Sequence, residues 1–513
     1  MFIPARIASG NRPRKPLWAV GGAAALACAY ALVGSALAGS GVAFAAAAQP
    51  AASNTALLTP ASLQAGDAPA GVTSPAGAPV SEIRNRIDGP TGLVISGARL
   101  HAALLRQFYA AHNFEPVWPT HQAQADALLK AVMRAEDNGL DPNLFHAALL
   151  RNPGTLTQID REMLLSDAFL SYGDALARGI VPIEIRMDDE DLTPEPVDVA
   201  ATLNTAINSP DPAAVIEALA PNSPAYVAMR QALRNDRQNV AEAMPPRAAA
   251  PDGRLHPVRP PAGEAATEAH IRALMVNLER QRWLPRNIPA DRIWVNIANA
   301  QLVLYRENRP AFTTRVVVGE LDKQTPELQS TITSLLYNPP WNIPYSIATK
   351  EILPRLGADP DYLSRHHMRR RSNGAIQQIP GPGSALGQLK FEMTNRFDVY
   401  LHDTPLKNLF SRDNRQQSHG CVRVQNPREL AALLMDQSVE AINKGIAAGS
   451  TSRRMLPTSI PVFIVYQTAF LDGDGTIQFR PDVYQRDDEI WQHLHPTQIA
   501  PVAQHEPNGQ RGS

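Results

Sequence analysis

Cysteine is nearly absent: the chain has two in 513 residues, Cys28 and Cys421. A pair so far apart excludes a framework of intrachain disulfides and any cysteine-based zinc cluster. Net charge is equally scarce. Lys+Arg number 48 and Asp+Glu 49, a formal charge of -1, so there is no global field to favour general nucleic-acid binding. No internal repeat is visible in the sequence. Charged residues are 19% against 44% hydrophobic, a balance that argues against bulk disorder. What is plentiful is proline, 45 against 31 glycines, the mark of linkers and punctuated turns. The length suggests two or three domains.

The first 45 residues carry a distinct pattern. Arg6, Arg12, Arg14 and Lys15 precede an uncharged run from Leu17 to Leu37, and Ala43-Phe44-Ala45 fits a cleavage site. This predicts an export signal over 1–45, although the same run is long enough to act as an uncleaved membrane anchor. The positive flank stays cytoplasmic, so the remainder is expected on the far side.

Residues 46–90 are rich in Ala, Pro, Ser and Gly and read as a flexible spacer. Over 91–240 apolar residues recur at helical spacing, as in Leu100, Leu104 and Phe108 or Leu165, Phe169, Tyr172 and Leu176, which predicts an all-α domain. A Pro-rich linker follows over 241–266, with Pro245-Pro246 and Pro260-Pro261. The segment 267–495 opens with one more helix around Ile271, Leu274, Met275 and Leu278, and then the period changes to two. Ile293, Val295 and Ile297 alternate, Asn308-Arg309-Pro310 reads as a hairpin turn, and Val462 to Tyr466 reads as a buried strand. Residues 347–386 interrupt the β pattern and are expected to form a lid over a site. Their run His366-His367-Met368-Arg369-Arg370-Arg371 reads as a solvated face, with contacts to an anionic polymer as the alternative. A helix is expected over 426–444, with Asn426 as cap, Pro427 in first position and Glu429 completing a capping box. Asp472-Gly473-Asp474-Gly475 reads as a hairpin turn, and 496–513 as a tail. The expected fold class is multidomain α+β, an all-α domain followed by a mainly β domain with a lid insertion.

The chemistry gathers around Ser418-His419-Gly420-Cys421-Val422-Arg423. A thiol attacks as thiolate and needs a base or a positive field beside it. Histidine suits that role near neutral pH. His419 and His402 are the candidates. Strand alternation puts Val399 and Leu401 toward the core, and Tyr400 and His402 toward the opposite face. Gly420 suggests a sharp bend in which backbone N–H groups converge, as an oxyanion hole requires. These arguments assign Cys421 as nucleophile, held ionised by an imidazole, His402 as base, and the Gly420 and Cys421 amides as oxyanion donors. His419 is left to shape the loop. An inert core cysteine and a zinc site from His402, His419 and Cys421 are the competing readings; the first fits poorly with a free thiol in an oxidising compartment, and the second has no supporting ligand spacing.

The stretch 418–423, preceded by Tyr400-Leu401-His402-Asp403-Thr404-Pro405, resembles the YkuD-like L,D-transpeptidase catalytic domain, and more closely its large Gram-negative, YcbB-like subgroup. Asn277-Leu278-Glu279-Arg280, Arg282-Trp283-Leu284-Pro285, Asn338-Pro339-Pro340-Trp341, Pro380-Gly381-Pro382-Gly383 and Phe479-Arg480-Pro481-Asp482-Val483-Tyr484 add to the likeness, and the helical region is similar to that subgroup's scaffold domain. The resemblance implies a β-sandwich catalytic domain over 267–495. The small peptidoglycan-binding module often found in the subgroup is replaced here by the Pro-rich linker. Asp403 stands where simpler members have a small residue, so the third group behind His402 is open, with a backbone carbonyl as one solution.

The resemblance also implies a reaction: Cys421 takes the acyl group of a tetrapeptide stem as a thioester, D-alanine leaves, and an amine of a diaminopimelate-type acceptor stem resolves it into a 3→3 crosslink. Trp341, Tyr400, Arg423 and Ser418 are the expected substrate-lining residues. Peptidoglycan stem peptides are the implied partners, peptidoglycan synthases the implied protein partners, and a carbapenem the implied covalent inhibitor. No cofactor, metal or nucleic acid is implied. The implied location is the periplasm of a Gram-negative bacterium. A hydrolase (L,D-carboxypeptidase), a lipoprotein-attachment enzyme and a non-catalytic wall-binding scaffold are the alternatives.

Overall fold

The structure is a computed structural model and describes residues 78–90, 92–183, 186, 190–243 and 262–495. The expected export segment, the spacer up to residue 77, residues 244–261 of the Pro-rich linker and the tail 496–513 lie outside the described residues.

Helix α1 (Ala78–Ile87) begins inside the expected spacer. Ile83 and Ile87 sit one turn apart and are buried, and an apolar pair at that spacing is enough to fold the segment onto its neighbour. After the short hairpin β1 (Val94–Ile95) and β2 (Ala98–Arg99) come α2 (Ala102–Ala110), α3 (Gln122–Met133), α4 (Ala147–Arg151) and α5 (Gln158–Arg178). Helix α5 is started by a capping box, Thr157 with Asp160, and stopped by Gly179 at φ +84°. Strand β3 (Glu190–Asp191) then leads to α6 (Val199–Ile207), α7 (Pro212–Glu217), α8 (Pro224–Ala243) and α9 (Ala262–Arg282). One apolar core holds Phe108, Trp118, Leu128, Phe169 and Leu176 together with Leu274 and Leu278 of α9. The first helix of the expected catalytic segment therefore packs with the helical domain, because its apolar stripe faces that core.

The β body starts with β4 (Arg292–Asn296), β5 (Gln301–Arg306) and β6 (Arg309–Gly319). The hairpin between β5 and β6 turns at Glu307 and Asn308, both at positive φ, one residue before the expected position. Strand β7 (Glu327–Tyr337) precedes the lid, which contains β8 (Trp341–Asn342), α10 (Tyr345–Ile347), α11 (Leu353–Ala358), α12 (Tyr362–Arg365), β9 (Met368–Arg370) and β10 (Ile376–Gln378). The chain returns through β11 (Leu389–Met393), β12 (Leu401–His402), β13 (Gln416–Ser418), β14 (Val422–Val424), α13 (Pro427–Met435), α14 (Val439–Ala447), β15 (Ser452–Val465), the hairpin β16 (Ala469–Leu471) and β17 (Ile477–Phe479), and α15 (Asp487–Leu494). The helix expected over 426–444 is thus two. Asp436 adopts φ +52° between them, and Asn426 makes no side-chain cap.

The main sheet runs β11-β12-β14-β6-β5-β4-β15-β7, and β11 also pairs with β7. The hydrogen-bonded path returns on itself and leaves these strands no free edge. Inside it lies a second apolar core, with Ile293, Val295, Leu335, Phe391, Leu401, Val422 and Ile464. The lid has its own sheet, β8-β10-β9, and its own small apolar cluster around Ile343, Ala348, Ile352 and Ile376. The C-terminal helix α15 returns to the helical domain, burying Ile490 and Leu494 there.

Candidate active site

Strand pairing explains how residues far apart in sequence reach one surface. Strand β12 runs parallel to β14, with Leu401 opposite Val422 and His402 opposite Arg423. Strand β11 runs antiparallel to β12, with Lys390 opposite His402. Paired residues and residues two apart share a sheet face. Lys390, Tyr400, His402, Cys421 and Arg423 therefore lie on one face, and Phe391, Leu401 and Val422 lie on the other, in the core. The alternation expected from Val399 and Leu401 holds in the structure: both are buried.

The turn that carries the thiol is braced from below. Gly420 sits at φ +108°, a backbone conformation that favours glycine. Its N–H donates to Ser418 Oγ at 3.1 Å, and that hydroxyl donates to the Cys421 carbonyl at 2.6 Å. Its carbonyl accepts from Thr325 Oγ1 at 2.8 Å, and Thr325 Oγ1 in turn accepts from the Gly319 N–H at 2.8 Å. The Tyr484 hydroxyl donates to the Gly319 carbonyl at 2.6 Å and accepts from the Thr325 N–H at 3.2 Å. A chain of satisfied buried groups thus runs from residue 484 to the residue before the sulfur.

Two expected roles change on this geometry. Ser418 is buried at 1% exposure with its hydroxyl engaged on both sides, so it braces the turn instead of lining the cleft. The Gly420 N–H is likewise engaged by Ser418, whereas the Cys421 N–H has no acceptor among the described residues. Tyr400 lies beside the thiol, where its backbone N–H and its phenol O–H favour the ionised form of the sulfur. The donors available beside the thiol are consequently the Cys421 amide and the Tyr400 hydroxyl.

Protonation also differs from expectation. His402 is 4% exposed, and burial, followed by the Arg423 charge, pushes it down to about 3. Burial pushes the Cys421 thiol up, against the hydrogen bonds of Tyr400 and the charges of Lys390 and Arg423. The resting pair is a neutral imidazole and a neutral thiol, not an ion pair, because both groups are withdrawn from water. His402 Nδ1 lies 2.5 Å from the Asp403 carbonyl oxygen, and the Leu386 main chain also meets the ring; with its proton on Nδ1 facing Asp403, the imidazole keeps the Nε2 lone pair for the reaction. The third group behind the imidazole is thus main chain. The Asp403 carboxylate faces elsewhere: Oδ2 accepts from the Gln388 N–H at 2.9 Å, and Oδ1 from Lys407 Nζ at 2.7 Å. No His402–Cys421 hydrogen bond is formed among the described residues; the residue opposite His402 is Arg423, two positions after Cys421 on the same face.

The remaining expected residues fall around this face. Trp341, at the start of the lid, is half-buried and lies beside the Tyr400 side chain. His419 points away from the sulfur to the lid, with Nε2 2.8 Å from Glu351 Oε1. Arg423 is half-buried on the same face as Cys421, and Lys390 Nζ lies 3.8 Å from the Tyr400 ring centre. These two cations create a field suited to an anionic group on a bound molecule. Lys390, Thr325, Tyr484 and Glu351 escape a reading of the sequence around Cys421. Two signals were there: Lys390 is the charged position between Leu389 and Phe391, and Tyr484 ends the stretch 479–484 that adds to the family likeness.

Residues 290–452 match the family described as L,D-transpeptidase catalytic domain (YkuD), and residues 103–233 the family described as Scaffold domain. A Haemophilus influenzae protein described as "Putative L,D-transpeptidase" is 32% identical over 240 residues, 42% of this chain and 48% of that protein. The chain thus spans about half the length of this curated relative. Among solved structures, the Enterococcus faecium L,D-transpeptidase catalytic domain acylated by ertapenem is 13% identical with a TM-score of 0.21, covering 35% of this chain and 99% of that one. Mycobacterium tuberculosis L,D-transpeptidase 1 is 12% identical with a TM-score of 0.17, covering 34% of this chain and 61% of that one.

Proposed function

From the premise that the chain carries a YkuD-type L,D-transpeptidase catalytic domain behind a Scaffold domain, we propose that it is a peptidoglycan L,D-transpeptidase that forms 3→3 crosslinks through a Cys421 thioester. The observation that carries this reading is the shared face of β11, β12 and β14, which sets a thiol, a neutral buried imidazole, a phenol and two cations side by side.

In the first half-reaction the thiol proton passes to His402 Nε2 as the sulfur adds to the carbonyl carbon of the third stem residue. The Cys421 N–H and the Tyr400 O–H receive the oxyanion, each donor worth about 3 kcal/mol in such sites. Collapse breaks the C–N bond, the imidazole returns its proton to the departing amine, and D-alanine leaves. In the second half-reaction an acceptor amine adds to the thioester carbonyl, the C–S bond breaks, and the thiol is restored with the stems joined. Lys390 and Arg423 hold stem carboxylates. The charge pattern of residues 1–45 supports export, and we place the enzyme in the periplasm of a Gram-negative bacterium.

The test uses the full chain with a disaccharide-tetrapeptide and mass detection of products. A 3→3 dimer with free D-alanine supports the reading. Tripeptide alone identifies a hydrolase, and lipoprotein joined to the stem an attachment enzyme. Full crosslinking by Cys421→Ala would end the nucleophile assignment, and a carbapenem leaving no adduct on Cys421 of an active enzyme would refute an accessible thiol.

A further inference from the structure

The lid is built as a separable unit. Its two ends leave adjacent paired strands, with Leu389 of β11 opposite Tyr337 of β7, and the Asn338 N–H donates to the Gln388 carbonyl at 2.9 Å across the stem. Its sheet and its apolar cluster belong to it alone. Among the described residues, Glu351 is the one residue of segment 343–385 whose side chain bonds a side chain of the β body; at the lid's base, Trp341 of β8 also meets the Tyr400 side chain. Its Oε1 lies 2.8 Å from His419 Nε2 and 2.9 Å from Lys323 Nζ, and Lys323 also pairs with Glu320 at 3.1 Å. Glu351 is carried on a π turn, Ala348–Ile352, an irregularity that widens a helix and redirects a side chain.

Both partners lie on loops that hold the nucleophile. His419 is two residues before Cys421. Lys323 is two residues before Thr325, whose hydroxyl bonds the Gly420 carbonyl, and the Glu320 N–H donates to the Ser418 carbonyl at 3.0 Å. One carboxylate therefore ties the lid to both supports of the thiol turn. Glu351, His419 and Lys323 are each about one-third exposed, at 34%, 35% and 38%. An ion pair this wet is weak and opens readily, which suits a contact that forms and breaks in each turnover.

We propose that Glu351 is a positioning residue that latches the lid onto the nucleophile loops and so sets how the acyl-enzyme divides between amine and water. The inference rests on the thioester reading above. The bonds are the same on either branch: the C–S bond breaks and the thiol regains a proton. An amine leaves an amide crosslink, and water leaves a carboxylic acid on the donor stem. The lid decides which nucleophile reaches the carbonyl carbon, because a closed lid excludes bulk water.

The experiment compares the full wild-type chain with Glu351→Ala, Glu351→Gln and Lys323→Met. Its first measurement is hydrogen exchange of backbone amides over 345–365. Its second is the ratio of crosslinked dimer to tripeptide at fixed donor and acceptor, which does not depend on how fast the acyl-enzyme forms. In Glu351→Ala, exchange rises and the ratio falls, each about five-fold, the scale one exposed ion pair exerts on an open–closed equilibrium. Glu351→Gln keeps an acceptor for His419 and loses the charge facing Lys323, so it and Lys323→Met fall between. Unchanged exchange in Glu351→Ala overturns the latch. Raised exchange with an unchanged ratio overturns its role in partition. If wild type yields no acyl-enzyme at all, the proposed function fails, while exchange still decides the latch.

Discussion

Two charge clusters in this molecule look alike on paper and differ in water. Glu279 and Arg282 of α9 form a pair at 2.9 Å in which both side chains are 0% exposed. Glu279 also accepts from the Ile180 and Val181 N–H groups at 2.7 and 3.1 Å and from the Trp283 indole at 3.2 Å, and Arg282 donates to the Tyr226 hydroxyl at 3.1 Å and to the Asn138 carbonyl. Glu351 of the lid has charged neighbours at similar distances but stands one-third exposed. Desolvation makes the first cluster costly to disturb, since every charge inside it depends on its partners. Solvent screens the second and leaves it adjustable. The fold thus uses fixed charge where α9 seats on the helical domain and movable charge beside the thiol.

The largest effect comes from breaking the fixed cluster. Glu279→Ala leaves Arg282 buried without its carboxylate and two backbone N–H groups unpaired. Unfolding in urea is expected to lose about 3–5 kcal/mol. Because the partners are shared, Glu279→Ala combined with Arg282→Met costs less than the sum of the single changes. A loss near 1 kcal/mol for Glu279→Ala would mean that water reaches the pair and the contrast with the lid is false.

Next in size is the buried group of the catalytic face. His402 titrates at about 3 in the fold, against 6.5 for the free side chain. Above pH 6.5 folded and unfolded chains are both neutral there, and its contribution is fully present. As pH falls below 6.5, the unfolded chain binds a proton that the folded chain refuses, so stability drops by up to about 1.4 kcal/mol per unit until about pH 3. Between pH 6.5 and about 4.5, wild type should therefore lose about 2 kcal/mol more than His402→Gln in urea titrations. Parallel losses would show that the imidazole is hydrated, and its behaviour would then resemble that of the lid cluster.

A neutral buried contact comes third. Thr325→Val keeps the shape and removes the hydroxyl that bridges the Gly319 N–H and the Gly420 carbonyl. The expected cost is about 1–2 kcal/mol of stability, together with slower acylation of Cys421 by a carbapenem, followed by intact mass. Slower acylation with unchanged stability would place Thr325 in the chemistry instead of the scaffold.

What could be read from the sequence follows the range of the interactions involved. The change of period from 3.6 to 2, the helical stripes and the Val399–Leu401 alternation are local, and they put Tyr400 and His402 on the right face of β12. The thiol turn was legible through Gly420, whose positive φ is a local demand. The start of α1 was hidden because the Ala- and Pro-rich composition around it outweighed the pair Ile83 and Ile87. The seat of α9 was hidden because an apolar stripe does not name the core that it meets. The protonation of the pair depends on burial, which joins residues 390, 402, 421 and 423 only after the sheet forms. Ser418 was misread for a related reason: a serine beside a nucleophile looks like a surface group until its two hydrogen bonds are seen.

The smallest predicted effect tests the movable cluster most directly. Glu351→Gln removes a charge flanked by His419, Lys323 and, through Lys323, Glu320. Lys323 and His419 together hold the Glu351 carboxyl below the usual carboxylate range, against a partial burial that raises it. Each of these pairs is exposed enough for water and ions to compete, so the loss in unfolding free energy should stay under about 1 kcal/mol. Salt separates the two clusters. With a screening length of about 3 Å at 1 M ionic strength, the difference between wild type and Glu351→Gln should vanish, whereas the loss in Glu279→Ala should persist, because ions do not enter a site with no exposed surface. Unfolding curves of the three proteins at low and at 1 M salt make the comparison. A Glu351→Gln deficit that survived high salt would mean that the lid contact is dry in solution and closes more tightly than its exposure implies.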